Sequence, residues 1–175
     1  MKKSLLTATL LAAGLINQPV MAAADVEINW QEPDSYQDIR PSNQSRASFR
    51  KMVFSDLEQY MSKLAEDLPD GQTLLMTVTD LDLAGEVWPS SLLGGMGGSD
   101  IRLVKPVYIP RMSFSYTLKD AGGSVLQNAD VKLKDMAFMD RGTRASRRAE
   151  NLTYEKAMLR DWFEKTLEQT ASHTP

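Results

Sequence analysis

The sequence predicts a single α+β domain, in which one mostly antiparallel sheet of about four strands carries two helices on one face. Several short segments alternate apolar and polar residues, which is typical of strands with one buried face. Two longer segments repeat apolar residues every three or four positions, which indicates helices with one apolar stripe. The elements follow in the order β-α-β-β-β-α, and one sheet face can bury both helical stripes in a single core.

The first half of the chain is predicted to form a strand, a helix and a second strand. Residues 26–30 alternate as a strand does, and residues 46–68 carry an apolar helical stripe behind Ser45, a plausible N-cap. In the second strand, over residues 73–83, the apolar positions change parity near Thr79, which indicates a bulge or a strand end there. A helical crossover between the two strands would make them parallel.

The third strand is predicted to be irregular. A loop over residues 85–99 precedes it, and extended structure then covers residues 101–118. Pro106 and Pro110 interrupt this segment, and proline cannot donate a hydrogen bond to a sheet ladder. The segment is therefore predicted to be an edge strand or an irregular strand.

The last part of the chain is predicted to return as a strand and to end in a helix. Residues 120–123 have the composition of a hairpin turn, and residues 125–133 form the returning strand. A loop over residues 135–148 follows. The second helix covers residues 152–167, with Asn151 as its predicted cap.

The start of the chain predicts export. Two lysines near the N-terminus precede an apolar run over residues 5–16 and a group of small residues at 22–24, as in a cleaved signal peptide. The run is shorter than the roughly 20 apolar residues that span a bilayer. Removal of residues 1–24 would leave one domain of 151 residues, 25–175, with no transmembrane segment, a mobile tail at 170–175 and a periplasmic location.

The composition excludes several kinds of site. The chain has no cysteine, so it has no disulfide, no thiolate metal site and no residue to which a lipoprotein anchor could be attached. Its only histidine, His173, lies near the end, which argues against a catalytic triad or a histidine metal cluster. The domain without its leader has 18 basic and 23 acidic residues, which argues against nucleic-acid binding. No catalytic, cofactor-binding or metal-binding residue is predicted.

Asp80 and Asp82 are predicted to be structural acids at a turn. Two residues apart in a strand, they would lie on one face about 7 Å from each other. Such a pair could hold calcium or act as an acid–base pair, but calcium usually needs six or more oxygen ligands, and no correctly spaced acids follow. The structural interpretation therefore has one aspartate capping the turn and the other bound to water or a basic neighbour.

One cluster of arginines is a candidate site for an anion or a partner. It consists of Arg141, Arg144, Arg147 and Arg148. Guanidinium groups suit phosphates and carboxylates, so the candidates are lipopolysaccharide phosphates, peptidoglycan carboxylates or an acidic protein. The alternative is a solvated loop that pairs with nearby surface acids.

Four segments of the chain resemble a family of bacterial exported proteins that is classified only as a domain of unknown function, DUF family 3016. The segments are TDLDLAG at 79–85, YIPRM at 108–112, LKDMAF at 133–138 and YEKAMLRDWF at 154–163. The resemblance implies a periplasmic or envelope location. It implies no activity, because none is established for the family.

Two functions follow as hypotheses. The first is a non-enzymatic binding or envelope-assembly module, which docks an envelope protein or an anionic envelope component through its loops or through a sheet edge such as the strand with Pro106 and Pro110. The alternative is a hydrolase that acts on an envelope polymer with Asp80 and Asp82 as its acid–base pair. The sequence indicates no cofactor and leaves the oligomeric state open.

Overall fold

The computed structural model describes residues 23–36, 38–42, 44–93, 98–140 and 151–168. Its strands are β1 (Asp25–Trp30), β2 (Thr73–Asp82), β3 (Glu86–Trp88), β4 (Ile101–Leu103), β5 (Arg111–Lys119) and β6 (Val125–Lys134). Its helices are α1 (Arg46–Ala65) and α2 (Thr153–Phe163), and α2 continues into a π-helical turn, Glu164–Glu168.

Four strands form one sheet in the order β1-β2-β5-β6. Strands β1 and β2 are parallel, as the helical crossover predicted, and the other two neighbouring pairs are antiparallel. The prediction of a single sheet is incomplete, because β3 and β4 pair with each other as a separate two-stranded ribbon. This ribbon extends from the end of β2.

The predicted bulge in β2 is confirmed. Val78 pairs with Phe114 and Asp80 pairs with Ser113, so Thr79 is the extra residue. Because the extra residue reverses the alternation of faces, the apolar residues on both sides of it point to the same core. Val78 and Leu81 are accordingly both fully buried.

Of the two alternatives predicted for residues 101–118, the edge strand is wrong and the irregular strand is confirmed. This segment divides into β4 and β5, and β5 is a central strand that pairs with both β2 and β6. Pro106 and Pro110 lie in the connection between β4 and β5, where no ladder hydrogen bond is required of them. The edges of the sheet are β1 and β6.

Two segments that were predicted to be loops contain short strands or helical turns. The segment at 85–99 includes β3 and a 3₁₀ turn, Ser90–Leu93. In the segment at 135–148, Phe138 is buried and its ring meets that of Tyr154 edge-on, with 4.9 Å between the ring centroids. Residues 138–140 are helical. Both segments are too short or too irregular for periodicity to indicate regular structure.

The N-terminus of α1 agrees with the sequence, whereas its C-terminus lies at Ala65 and not at residue 68, and the N-terminus of α2 does not agree. Ser45 caps α1, because its hydroxyl accepts the Ser48 N–H at 3.1 Å. The predicted cap at Asn151 is wrong. The N-cap position of α2 is Leu152, which has a left-handed backbone (φ 56°) and makes no side-chain capping bond.

Both helices pack on the same face of the sheet. Trp30 of β1 stacks on Phe54 of α1 at 4.0 Å, and Trp162 of α2 meets Phe114 of β5 edge-on at 4.8 Å. Trp162 and Phe163, at the end of α2, are both buried. The opposite face of the sheet, here called the open face, carries mainly serine, threonine and charged residues.

Candidate ligand-binding site

Arg102 of β4 organises the end of the sheet where β2 leads into β3. Its guanidinium donates to the Asp38 carboxylate at 2.6 Å and to the Gly85 carbonyl at 3.1 Å. It also donates to the backbone carbonyls of Asp38 and Arg40, at 3.1 and 3.0 Å. One side chain thus fixes the segment before α1 against the turn after β2, and the fork geometry of arginine makes this multiple contact achievable.

Gly85 allows this turn to approach β4 closely. Its backbone is left-handed (φ 82°), and a Cβ atom at this position would lie 2.7 Å from the Leu103 carbonyl oxygen. Its N–H donates to the Tyr108 carbonyl at 3.0 Å. A residue with a side chain would therefore suffer both backbone strain and a steric clash here.

Glu155 is a buried carboxyl in the first turn of α2. It is only 3% exposed, and its Oε1 accepts the Ala84 N–H at 2.7 Å. Burial raises the pKa of Glu155, while this hydrogen bond and the nearby Arg102 charge lower it in part. The contact joins the start of α2 to the residues that follow β2.

These contacts surround an open cavity of about 310 Å³, here called the apolar hollow. Met52 of α1 and Val104, which follows β4, remain 41% and 39% exposed in it. The charged residues of the wall are Arg40, Arg102 and Glu155. The apolar part of the lining is formed by Phe49, Met52, Leu83, Ala84, Val104, Leu152 and Tyr154. An apolar hollow with a few convergent polar groups is the usual form of a small-ligand site.

A second cavity of about 380 Å³, the arginine hollow, lies on another side of Arg40. Arg40, Arg46 and Arg50 line it together. Arg50 forms an ion pair with Asp34, whereas no described carboxylate lies within ion-pair distance of Arg40 or Arg46. Arg40 is exposed and lines both cavities, and it also lines a third cavity whose wall includes Asp82.

The model of a family described as "Protein of unknown function (DUF3016)" matches residues 24–165 of this chain. The chain belongs to this family. The match confirms the resemblance seen in the four sequence segments, and it brings no established activity with it. No curated protein and no solved structure matches the chain.

Asp80 and Asp82 of the DUF3016 chain, which were predicted to be structural acids, lie on the open face after the bulge. The Arg111 guanidinium donates to the Asp82 carboxylate at 3.2 Å, and burial raises the pKa of Asp82 while the Arg111 charge opposes this. Asp82 lines a separate cavity of about 280 Å³ with Asp38, but Asp80 is absent from the described wall of that cavity. The structural role of the two aspartates stays a prediction.

Asp80 acts electrostatically on a buried tyrosine. The Tyr36 hydroxyl donates to the Val78 carbonyl at 2.8 Å, next to the bulge. Burial, together with the negative charge of Asp80, raises the pKa of Tyr36 to about 12. Tyr36 therefore stays protonated over the physiological range and holds the segment before α1 onto β2.

The predicted arginine cluster (Arg141, Arg144, Arg147 and Arg148) lies outside the described residues, and its role stays a prediction. In the sequence, Arg148 precedes Asn151, a wall residue of the apolar hollow, by three positions. Across the described ranges, no group of three or more histidine, cysteine, aspartate or glutamate residues is placed to hold a metal ion. None of the described helices is both long and apolar enough to cross a membrane.

Sequence reasoning did not find the residues that form the apolar hollow. Arg40 and Arg102 carry no periodic signal, because Arg40 lies in a segment without helix or strand and Arg102 lies in a strand of only three residues. Glu155 did give a signal in the sequence. It precedes Met158 and Leu159 by three and four positions, so an acid lies on the apolar stripe of its helix. An acid at such a position indicates a buried and hydrogen-bonded carboxyl.

Proposed function

We propose that this DUF3016 protein is an exported, non-enzymatic binding module that takes an amphipathic ligand, with an apolar body and an acidic group, into the apolar hollow. The observation that carries the proposal is the exposure of Met52 and Val104 inside a concave wall that also includes Arg40. The apolar body of the ligand would remove this exposed surface from water. The acidic group would lie at the Arg40 rim, where arginine suits carboxylates and phosphates.

The rigidity of the wall supports binding. The position of Arg40 is held by the Arg102 bond to its carbonyl, and the start of α2 is held by the Glu155 bond to Ala84. A wall that is formed before the ligand arrives loses little conformational freedom on binding.

The export part of the proposal rests on the leader-like sequence at residues 1–24. The family match begins at residue 24, next to the predicted cleavage position. The mass of the intact protein recovered from the periplasm of an expressing bacterium tests this. We expect a chain that begins between residues 23 and 25, and a mature protein that retains Met1 would contradict export with cleavage.

Two fluorescent probes test the binding site, since they share their aromatic rings and differ by one sulfonate group. These are 8-anilino-1-naphthalenesulfonate, the anionic probe, and N-phenyl-1-naphthylamine, the neutral probe. We expect the anionic probe to bind more tightly. Arg40→Gln should weaken its binding by about fivefold, the upper size of one exposed ion pair, and leave the neutral probe unchanged.

Met52→Glu should weaken the neutral probe by about tenfold, because it places a charge in the apolar wall. Leu92→Glu is the matched control, since Leu92 is 71% exposed and does not line the hollow. Equal affinities for the two probes, or equal effects of the Met52 and Leu92 variants, would contradict the proposal.

A further inference from the structure

Strand β6 is a long unpaired edge of the sheet. It runs for ten residues without a proline and pairs with β5 along one side. No strand in the described part of the chain pairs with its other side. The opposite edge, β1, has only six residues. A long edge exposes backbone N–H and C=O groups that can pair with a further strand.

Exposed apolar side chains lie at both ends of β6. Val125 and Leu126 at its start are 57% and 46% exposed. Beyond its end, Met136 and Met139 are 81% and 39% exposed. A concentration of exposed apolar residues around one edge marks a surface that another protein covers.

We propose that β6 pairs with β6 of a second copy of this chain, antiparallel and across a two-fold axis at Val131. The two four-stranded sheets then form one continuous sheet with the helices of both copies on the same side. Such a contact is isologous: the same patch of each copy is used, so the contact closes as a dimer. A second copy of the chain is the proposed partner because the charged and apolar residues of β6 match those of a second β6 strand.

The charges of β6 match in this register. Asp130 and Lys132 both lie on the open face, where they pair with Ser115 and Ser113 of β5. A two-fold axis at Val131 places Asp130 directly opposite Lys132 of the second copy, and the symmetry forms this pair twice. Opposite charges directly across two strands are stabilising, and like charges are destabilising.

The helix-side face of β6 matches in the same register. Val131 meets its own counterpart, and Ala129 meets Leu133 of the second copy. Val131 and Leu133 are only half-buried within one copy, so the contact covers their remaining surface. A cavity of about 270 Å³ lined by Leu133, Met158 and Trp162 borders this edge and gives the second copy space to pack.

Charge also disfavours the neighbouring registers that keep the helices on one side. An axis at Asp130 would place this aspartate opposite its own counterpart. An axis at Lys132 would form two pairs between Asp130 and Lys134, but it would also place Lys132 opposite its own counterpart. An axis at Leu133 would place Lys132 opposite Lys134 of the second copy, twice. An axis at Ala129 would place Asp130 opposite Asn128 and leave both charges without a partner. Among these registers, the one at Val131 is therefore the only one that forms two ion pairs and no like-charge pair.

The exposed apolar ends come together in this dimer. Because the strands run antiparallel, the start of β6 in one copy lies beside the end of β6 in the other. Leu126 of one copy thereby approaches Met136 of the second copy, and this contact also occurs twice. The register chosen by charge thus also brings together two of the exposed apolar residues, Leu126 and Met136.

Sedimentation over a range of protein concentrations tests the proposal, using protein purified after expression of the full chain. We expect a monomer–dimer equilibrium. Lys132→Asp should raise the dimer dissociation constant at least about tenfold, because two attractive pairs become repulsive. The exchange double variant Asp130→Lys/Lys132→Asp should restore it to within about threefold of the original protein, because the charges match again. Lys51→Asp on exposed α1 is the control for the change in net charge.

Amide hydrogen exchange on the unaltered protein gives a second measurement that does not depend on the folding of any variant. The β6 amides should become more protected as the concentration passes through the dissociation constant. A protein that stays monomeric at several hundred micromolar would overturn the proposal. So would a double variant as weak as Lys132→Asp, equal effects of Lys132→Asp and Lys51→Asp, or β6 protection that does not depend on concentration.

Discussion

The helix-covered face of the sheet and the end of the sheet at the apolar hollow are stabilised by different chemistry. The face consists of apolar side chains that repeat with the period of their strands and helices, such as Phe114, Trp162 and Phe163. The end consists of single polar residues, chiefly Arg102 and Glu155, that bind backbone groups distant in the sequence. Periodic residues therefore place the elements, whereas isolated polar residues shape the surface on which a ligand can bind.

Truncation of the aromatic residues of α2 should give the largest effect, because it removes buried area from the face. Phe163→Ala and Trp162→Ala should each lower the free energy of unfolding by about 3–5 kcal/mol, the usual cost for a buried aromatic residue. Denaturant melts measure this. Losses below about 1 kcal/mol in both variants would mean that α2 contributes little to the core. This result would contradict the claim that apolar packing stabilises the helix-covered face.

Removal of Arg102 should have the next largest effect and would be the main disruption of the sheet end. Arg102→Ala leaves the half-buried Asp38 carboxylate and several carbonyl oxygens without their donor. We expect a loss of about 2–4 kcal/mol in the same melts.

Arg102→Lys keeps the charge and separates two explanations. One ammonium group cannot reach the carboxylate and the separate carbonyls as the planar fork does, so most of the loss should remain. Full stability in Arg102→Lys would show that charge alone matters and that the geometry of the fork does not.

Gly85→Ala should be intermediate, about 1–3 kcal/mol, because it combines a left-handed backbone with a Cβ atom against the Leu103 carbonyl. Gly98→Ala is a suitable control, since a Cβ atom at Gly98 would meet its nearest neighbour, Ser90 Cβ, at an ordinary 3.7 Å. Thermal melts of the two variants should therefore differ. Equal melting temperatures would mean that the turn after β2 relaxes freely.

Glu155→Gln should have the smallest effect and a dependence on pH. The folded protein binds the Glu155 proton more tightly than the unfolded chain does, because burial raises the pKa of Glu155 above its ordinary 4.5. The Glu155 contribution to stability is therefore fully present below pH 4.5 and decreases as pH rises toward the folded-state pKa. Glutamine can still accept the Ala84 N–H and does not titrate.

The stability of Glu155→Gln relative to the original protein should thus increase as pH rises from 4 to 7. Melts at several pH values measure this difference. A difference that stays constant over the range would show that Glu155 is not desolvated in the way its burial indicates.

Much of the fold could be predicted because periodic patterns report on burial. The bulge at Thr79, the cap at Ser45 and the parallel pairing of β1 with β2 all follow from local signals. The central position of β5 could not be predicted, because proline in a connection and proline in an edge strand leave the same mark in the sequence. The ribbon of β3 and β4 was missed because three-residue strands are too short to show an alternation.

The candidate site could be predicted far less well. Its wall combines Arg40 and Met52 with Val104 and Glu155, which lie far apart in the sequence, and only the folded chain brings them together. Asp80 and Asp82 were interpreted as a pair because they lie two residues apart in the sequence. The fold instead places Asp82 with Asp38, because the segment before α1 crosses the end of β2.

Nuclear magnetic resonance of methionine methyl groups tests most directly whether the apolar hollow is the binding site. Methyl-labelled protein is titrated with the anionic probe, 8-anilino-1-naphthalenesulfonate. Met52 lines the hollow, whereas the exposed Met136 and Met139 do not. We predict that the Met52 signal shifts in a saturable way while the signals of Met136 and Met139 stay in place. Shifts at Met136 or Met139 with an unmoved Met52 would contradict the account.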